Sequence, residues 1–202
     1  MPGPGRQGYP FIPFRVETLV PDMEPAAVMK TLRLACSALG WCVILAFVLP
    51  LGAAYLLGLS PVAVSALIAS AFVIEDGSIP IGIGLGLPVQ YVVPVATSVE
   101  AGIFLGLFGI LDAIGTASGR VAAFLDWTRR MTARSWMFER YGIYGLVPAE
   151  ILIGVYLCSP ASWLFGWQKW RSFAITMAGY CVSAAAITLA TLGFIHYFLP
   201  LI

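Results

Sequence analysis

From Leu34 to Leu59 the chain carries no charged side chain. A helix rises 1.5 Å per residue, so this run can cross the ~30 Å hydrocarbon core of a bilayer. A water-soluble domain of this size cannot hide so much apolar surface. The whole sequence agrees, being 60% hydrophobic and only 10% charged, against about 25% charged in an ordinary soluble domain. The reading is an all-α integral membrane protein, because a helix satisfies its own backbone polar groups where no water can. Lys30 and Arg33 stand just before the span, and Pro50 is placed to kink it.

Residues 1–28 are rich in Pro and Gly and carry Glu17, Asp22 and Glu24. No apolar core of a secretory signal opens the chain, so this stretch reads as a cytoplasmic or interfacial tail. Phe11, Ile12 and Phe14 could rest on the interface. Residues 29–202 read as one helical membrane domain.

After the first span comes an apolar run from Ser60 to Ile74, short for a crossing, which stops at Glu75-Asp76-Gly77-Ser78. The next piece, Ile79 to Leu87, reads IPIGIGLGL and ends at Pro88. Gly and Pro at that density break a helix. Two short apolar pieces around a polar break predict a re-entrant hairpin, which enters and leaves on one side. Val89 to Gly115 is the second long span, with Glu100 in its middle, Asp112 near its end, and Gly102, Gly106 and Gly109 on a face suited to close helix packing.

Residues 116–141 change character. Arg120, Arg129, Arg130, Arg134 and Arg140 fall on one side of a helical projection, and Val121, Phe124, Leu125, Thr128, Met131 and Phe138 on the other. This predicts an amphipathic helix on the membrane surface, with a solvated connector as the alternative. The earlier order of elements then returns. A short apolar run from Gly142 to Cys158 contains Pro148 and Glu150, a break follows at Ser159-Pro160, and the last span runs from about Ser172 to Leu199 with Gly179 and Ser183. The sequence thus predicts repeat 1 over about 60–115, a linker over 116–141 and repeat 2 over about 142–199, each a hairpin plus a span. A Gly precedes each turn, Gly86 and Gly166.

Basic residues flanking spans favour the cytoplasm. If both hairpins are re-entrant, Lys30 and Arg33, the arginine-rich linker, and Lys169 and Arg171 share one side. A full crossing by residues 60–87 would split them. The re-entrant arrangement therefore fits better. It inserts the hairpins from opposite faces, as an inverted repeat of the kind found in many transporters. The expected location is the plasma membrane, with the linker cytoplasmic.

Four acids lie within apolar stretches: Glu75, Asp76, Glu100 and Glu150. An ionised side chain at the bilayer centre costs ~2.5–3.5 kcal/mol on insertion scales. Carboxyls held there without a cation are expected to exchange protons or to attract a cationic ligand. The plainer alternative puts them at the interface, or bonded to backbone freed by the helix breaks. Thr97 and Ser98 could hydrogen-bond Glu100 or a carbonyl one turn back. Gly77, Pro80, Gly154 and Pro160 shape the two breaks. Trp163, Trp167 and Trp170 read as interface markers.

No Ser/His/Asp arrangement, phosphate-cradling loop or paired histidine is present, so no enzyme chemistry is expected. Cys36, Cys42, Cys158 and Cys181 lie in apolar stretches without metal-ligand spacing, and His196 is the only histidine. No metal or cofactor is expected. A net charge of +1 argues against a nucleic-acid partner.

Three segments carry a family resemblance. IEDGSIPIGIGLGLP (Ile74 to Pro88) resembles the first motif of the small multidrug export protein family, an acid followed by Arg-Gly-Ala-Ile-Pro and a Gly-Leu-Pro turn. FERYGIYGLVP (Phe138 to Pro148) is similar to the segment that opens that family's second hairpin. SWLFGWQKWRSFAITMAGY (Ser162 to Tyr180) is similar to the segment that leads into its last helix. The resemblance covers roughly residues 60–195. The family's Arg falls at Asp76 and its acid at Ile74, and Gly154 with Tyr156 is what persists of its second Gly-rich stretch. In architecture the family is similar to the DedA membrane proteins, which implies paired re-entrant hairpins and lipid-phosphate transport.

The leading expectation is a small secondary transporter or exporter, linked to protons or cations through the four acids. A DedA-like lipid translocase and a non-transporting scaffold or assembly subunit are the alternatives. Expected partners are the bilayer and a small-molecule, ion or lipid substrate. Chains with few spans often dimerise, so a homodimer stays open.

Overall fold

A computed structural model describes residues 25–117 and 142–198. The arginine-rich face read from the linker lies outside the described residues, as does the chain before Pro25. Every regular element among the described residues is helical. Helix α1 (Pro25–Val43) begins four residues ahead of the first spanning segment, so residues 25–28 are helical. Pro is well suited to the first helical position, where its missing N–H is not needed. A π-helix, Ile44–Val48, then leads into α2 (Leu49–Leu56). It is closed by the Leu49 N–H donating to the Ile44 carbonyl. The wider turn sits where the ring of Pro50 would otherwise crowd the Ala46 carbonyl.

Next come α3 (Pro61–Ile74), a 3-10 turn (Glu75–Gly77), α4 (Ser78–Gly84) and α5 (Val89–Ala117). A second 3-10 turn (Gly142–Gly145) opens α6 (Leu146–Ile153), which is followed by α7 (Val155–Leu164) and α8 (Lys169–Phe198). Helix α8 takes Lys169 and Arg171 into its first turn, ahead of the start near Ser172 that the sequence suggested.

Four segments are long and apolar enough to cross a membrane: Met29–Leu56, Pro61–Gly84, Val89–Gly115 and Lys169–Tyr197. The protein is a multi-pass helical membrane protein. One of the four is not straight. A Cβ on Gly82 would lie 2.9 Å from Leu67 Cδ1, whereas in one continuous helix those residues would stand about 22 Å apart. Segment Pro61–Gly84 is therefore a helical hairpin, reversed at Glu75–Gly77.

Helix α1 packs antiparallel on α5 through the glycine face. Cβ atoms added at Gly102 and Gly106 would lie 3.2 Å from the Cys42 carbonyl and 3.1 Å from Cys42 Cβ. One added at Gly109 would run into Ala38 Cβ. Acyl chains are as apolar as leucine, so close backbone approach of this kind drives helix association in membranes. The Ser98 hydroxyl donates to the Leu45 carbonyl at 2.6 Å, and the Tyr91 hydroxyl donates to the Pro50 carbonyl at 2.7 Å.

One turn is used three times. Gly58, Gly86 and Gly166 have φ of 64°, 80° and 68°, the left-handed region glycine enters freely. Each donates to the carbonyl three residues back, and the following residue donates to the carbonyl five back: Leu59 to Ala54, Leu87 to Gly82, Trp167 to Ser162. This is the Schellman helix ending. The next helix starts three residues after each glycine, at Pro61, Val89 and Lys169.

These contacts orient the bundle. Trp163 packs on Gly115, Phe173 on Phe104 at 5.7 Å, and the Lys169 ammonium lies 5.9 Å over the Phe108 ring. Helix α8 therefore starts at the end where α5 finishes and α1 begins. Lys30, Arg33, Lys169, Arg171 and the point where residues 118–141 depart all gather at that end.

Candidate functional site

The apolar run of α3 ends at Glu75, the one non-glycine with positive φ (47°) among the described residues. Such a backbone costs about 1–3 kcal/mol and persists only where its surroundings hold it. Here the far helix break holds it. Glu75 Oε2 accepts from the Val155 N–H at 3.2 Å, and the Tyr156 N–H lies beside the same carboxylate. These are among the first N–H groups of α7, which lack partners within their own helix and favour negative charge. The acid at the first break thus caps the helix that leaves the second.

Gly154 makes room for that contact. It is buried, with φ 75° and ψ 176°, and a Cβ added there would run into the Glu75 carboxyl. The Tyr156 hydroxyl donates to the Phe72 carbonyl at 2.6 Å, tying α7 to α3. The Ser159 hydroxyl donates to the Phe104 carbonyl at 3.0 Å, tying α7 to α5.

Asp76 Oδ2 accepts from the Ser183 hydroxyl of α8 at 2.5 Å, while Oδ1 has no partner among the described residues. Glu150, on α6, is 3% exposed. Gly179 lets its helix approach, since a Cβ at Gly179 would lie 3.0 Å from Glu150 Cβ. The Cys158 thiol lies beside the Glu150 carboxyl, and Oε2 is without a partner among the described residues. Glu100, in the middle of α5, is 0% exposed and neither of its oxygens has a partner among the described residues. Glu75, Asp76 and Glu150 all lie within its electrostatic reach. Four acids spread over 76 positions of the chain (Glu75 to Glu150) thus share one neighbourhood.

Other expected site residues fall elsewhere. Thr97 donates to the Val93 carbonyl at 2.9 Å and Ser98 to Leu45, so neither bonds Glu100. Gly77 sits in the 3-10 turn, where a Cβ would lie 3.1 Å from Ile74 Cδ1. Pro80 and Pro160 lie inside α4 and α7, so the second break is not at Ser159-Pro160 as expected but at Gly154, where the positive φ of 75° ends α6. They shape the arms leaving the breaks without lining the acid groove.

Two residues that sequence reasoning missed belong with the acids. Tyr180 is 1% exposed, its hydroxyl is without a partner, and Glu100 is within its electrostatic reach. Ser183, noted in the sequence only as part of the last span, is the partner of Asp76. No composition signal marked Tyr180, because aromatic residues are common in apolar helices.

Between the breaks lies a groove of about 330 Å³ lined by Val73, Ile74, Glu75, Asp76, Glu150, Ile151, Leu152, Ile153 and Gly154. No group of three His, Cys, Asp or Glu among the described residues is placed to hold a metal ion. A larger hollow of about 430 Å³, lined by Leu51, Ala54, Tyr55, Gly58, Leu59 and Pro61, sits at the α2–α3 turn, away from the acids, and its lining carries no titratable group besides Tyr55. Comparisons of the chain with family models, curated proteins and solved structures find no match.

Proposed function

We propose that the protein is a small secondary transporter whose solute is a cation, with movement linked to protons or cations through its intramembrane carboxylates. One observation carries the reading: two helix breaks meet tip to tip at the Glu75–Val155 contact, beside carboxyls that include the fully enclosed Glu100. Broken helices at mid-depth offer backbone groups and charge to a transported ligand. The described lysines and arginines stand at one end of the bundle, so the acids have no cation beside them to neutralise. A lipid phosphate would meet only carboxylates here, which disfavours the DedA-like alternative. A scaffold would have no use for buried acids without partners.

In this reading the two breaks belong to an inverted repeat of re-entrant hairpins with an extra N-terminal helix. A shift of 80 residues relates Gly86 to Gly166, the start of α5 to that of α8, Pro80 to Pro160, and Glu100 to Tyr180. It also relates Glu75 to Val155, which bond each other across that same separation of 80. A contact between equivalent positions belongs on the pseudo-two-fold axis, so the axis passes through the meeting point of the tips. The basic end faces the cytoplasm by the positive-inside rule, and the membrane is the plasma membrane.

Two experiments test this. Single cysteines at the exposed positions Leu85 and Gln168, in a cysteine-free background, should be labelled from opposite faces of oriented vesicles, Gln168 from the cytoplasmic one. Labelling of both from one face would remove the inverted repeat. For function, a pH jump applied to proteoliposomes on a solid-supported membrane should displace charge as the buried carboxyls take up protons. The absence of any displacement above that of protein-free membranes would count against proton linkage.

A further inference from the structure

The groove between the breaks is polar on its floor and apolar on its rim. Glu75, Asp76 and Glu150 line it beside Gly154, and Val73, Ile74, Ile151, Leu152 and Ile153 complete the lining. Val73 is 79% exposed and Leu152 80%. They flank the breaks at the depth of the acids, near the middle of the spanning helices. Exposed apolar side chains at that depth are what a groove open sideways to acyl chains would present.

The polar atoms left over on the floor are of one kind. Asp76 Oδ1 and Glu150 Oε2 are buried and without partners, and both are acceptors. Glu150 is itself enclosed, yet it is among the residues that line the groove. A cation with N–H donors satisfies carboxylate oxygens and favours their ionised form. A primary ammonium supplies three N–H bonds and one charge. A quaternary ammonium supplies the charge and no donor. The volume of the groove suits a head group and the first part of a chain, and the exposed rim lets the remainder lie among the lipids.

We propose that the groove is a laterally open binding site for primary alkylammonium compounds, with the ammonium between Asp76 and Glu150 and the alkyl chain leaving over Val73 and Leu152. This deepens the transporter reading by naming a substrate class, but the binding itself does not require transport.

The test is binding of radiolabelled decylammonium to the full chain in lipid nanodiscs, with empty nanodiscs subtracted. Ethylammonium and decyltrimethylammonium are the comparison probes. Decylammonium should bind saturably, about ten-fold or more tighter than either, the equivalent of one charge-assisted hydrogen bond or of the lost chain contact. Glu150→Gln should weaken it about ten-fold. Leu152→Ser, at a position 80% exposed, should weaken decylammonium and leave ethylammonium unchanged. Equal affinity for the primary and quaternary compounds would overturn the donor requirement. Indifference to chain length would overturn lateral access, and absence of saturable binding would overturn the site. If any of these occurs while the pH-jump displacement persists, the proposed site falls and the transporter reading stands. If the displacement is absent as well, both fall.

Discussion

Replacing Gly154 by alanine is expected to cut the pH-jump charge displacement by more than ten-fold and to lower the melting temperature of the purified protein. Two independent causes act at one position. The backbone at φ 75° and ψ 176° lies in a region open essentially to glycine alone, and forcing another residue there costs about 1–3 kcal/mol. The new Cβ would also occupy the place of the Glu75 carboxyl. The chain cannot escape both penalties by a small shift, because moving Glu75 gives up its bond to α7 and leaves a strained backbone unsupported. The tips should part, and with them the site. Gly193→Ala is the control, since a Cβ there meets nothing within 4 Å and alanine is the better helix former. A Gly154→Ala protein with unchanged melting and unchanged displacement would show that the tip-to-tip contact is not what holds the site.

How much of this was open to sequence reading follows from the reach of each signal. In a chain this apolar, Gly, Pro and charged residues stand out singly, so the spans, the break at Glu75 and the glycine face of α5 could be placed from local pattern, whereas the second break falls at Gly154 and not at the expected Ser159-Pro160. Boundaries moved where a neighbouring turn decided them. Helix α8 starts at Lys169 and not near Ser172 because the turn at Gly166 sets its start, as the same turn does for α5. The kink expected at Pro50 is a π-helical turn just ahead of it, a distinction that depends on backbone relaxation. The long-range partners were out of reach. Nothing near Ser98 says that its hydroxyl serves Leu45 on another helix, and nothing near Glu75 says that its partner is Val155. Tyr180 belongs to the site only because packing encloses its hydroxyl without a partner.

Glu100 should show the opposite balance of stability and function from Gly154. Its carboxyl is fully enclosed, with neither oxygen partnered among the described residues. A buried polar group left in that state costs about 1–3 kcal/mol. Glu100→Leu, of similar size and with Phe104 and Val99 among the buried residues around it, removes that cost. The melting temperature is therefore expected to rise, while the pH-jump displacement falls to the level of protein-free membranes. Glu100→Gln separates the two effects. It keeps the shape and the polarity but cannot take up a proton, so the displacement should be lost with no gain in stability. If Glu100→Leu instead destabilises the protein, the carboxyl has partners that only the folded protein in its bilayer supplies. If it leaves the displacement intact, protons are carried by the groove acids alone, and the enclosed acid has no part in the linkage. A buried group that weakens the fold and is indispensable to charge movement is what the transporter reading requires, and neither half of that pair would be expected of a scaffold.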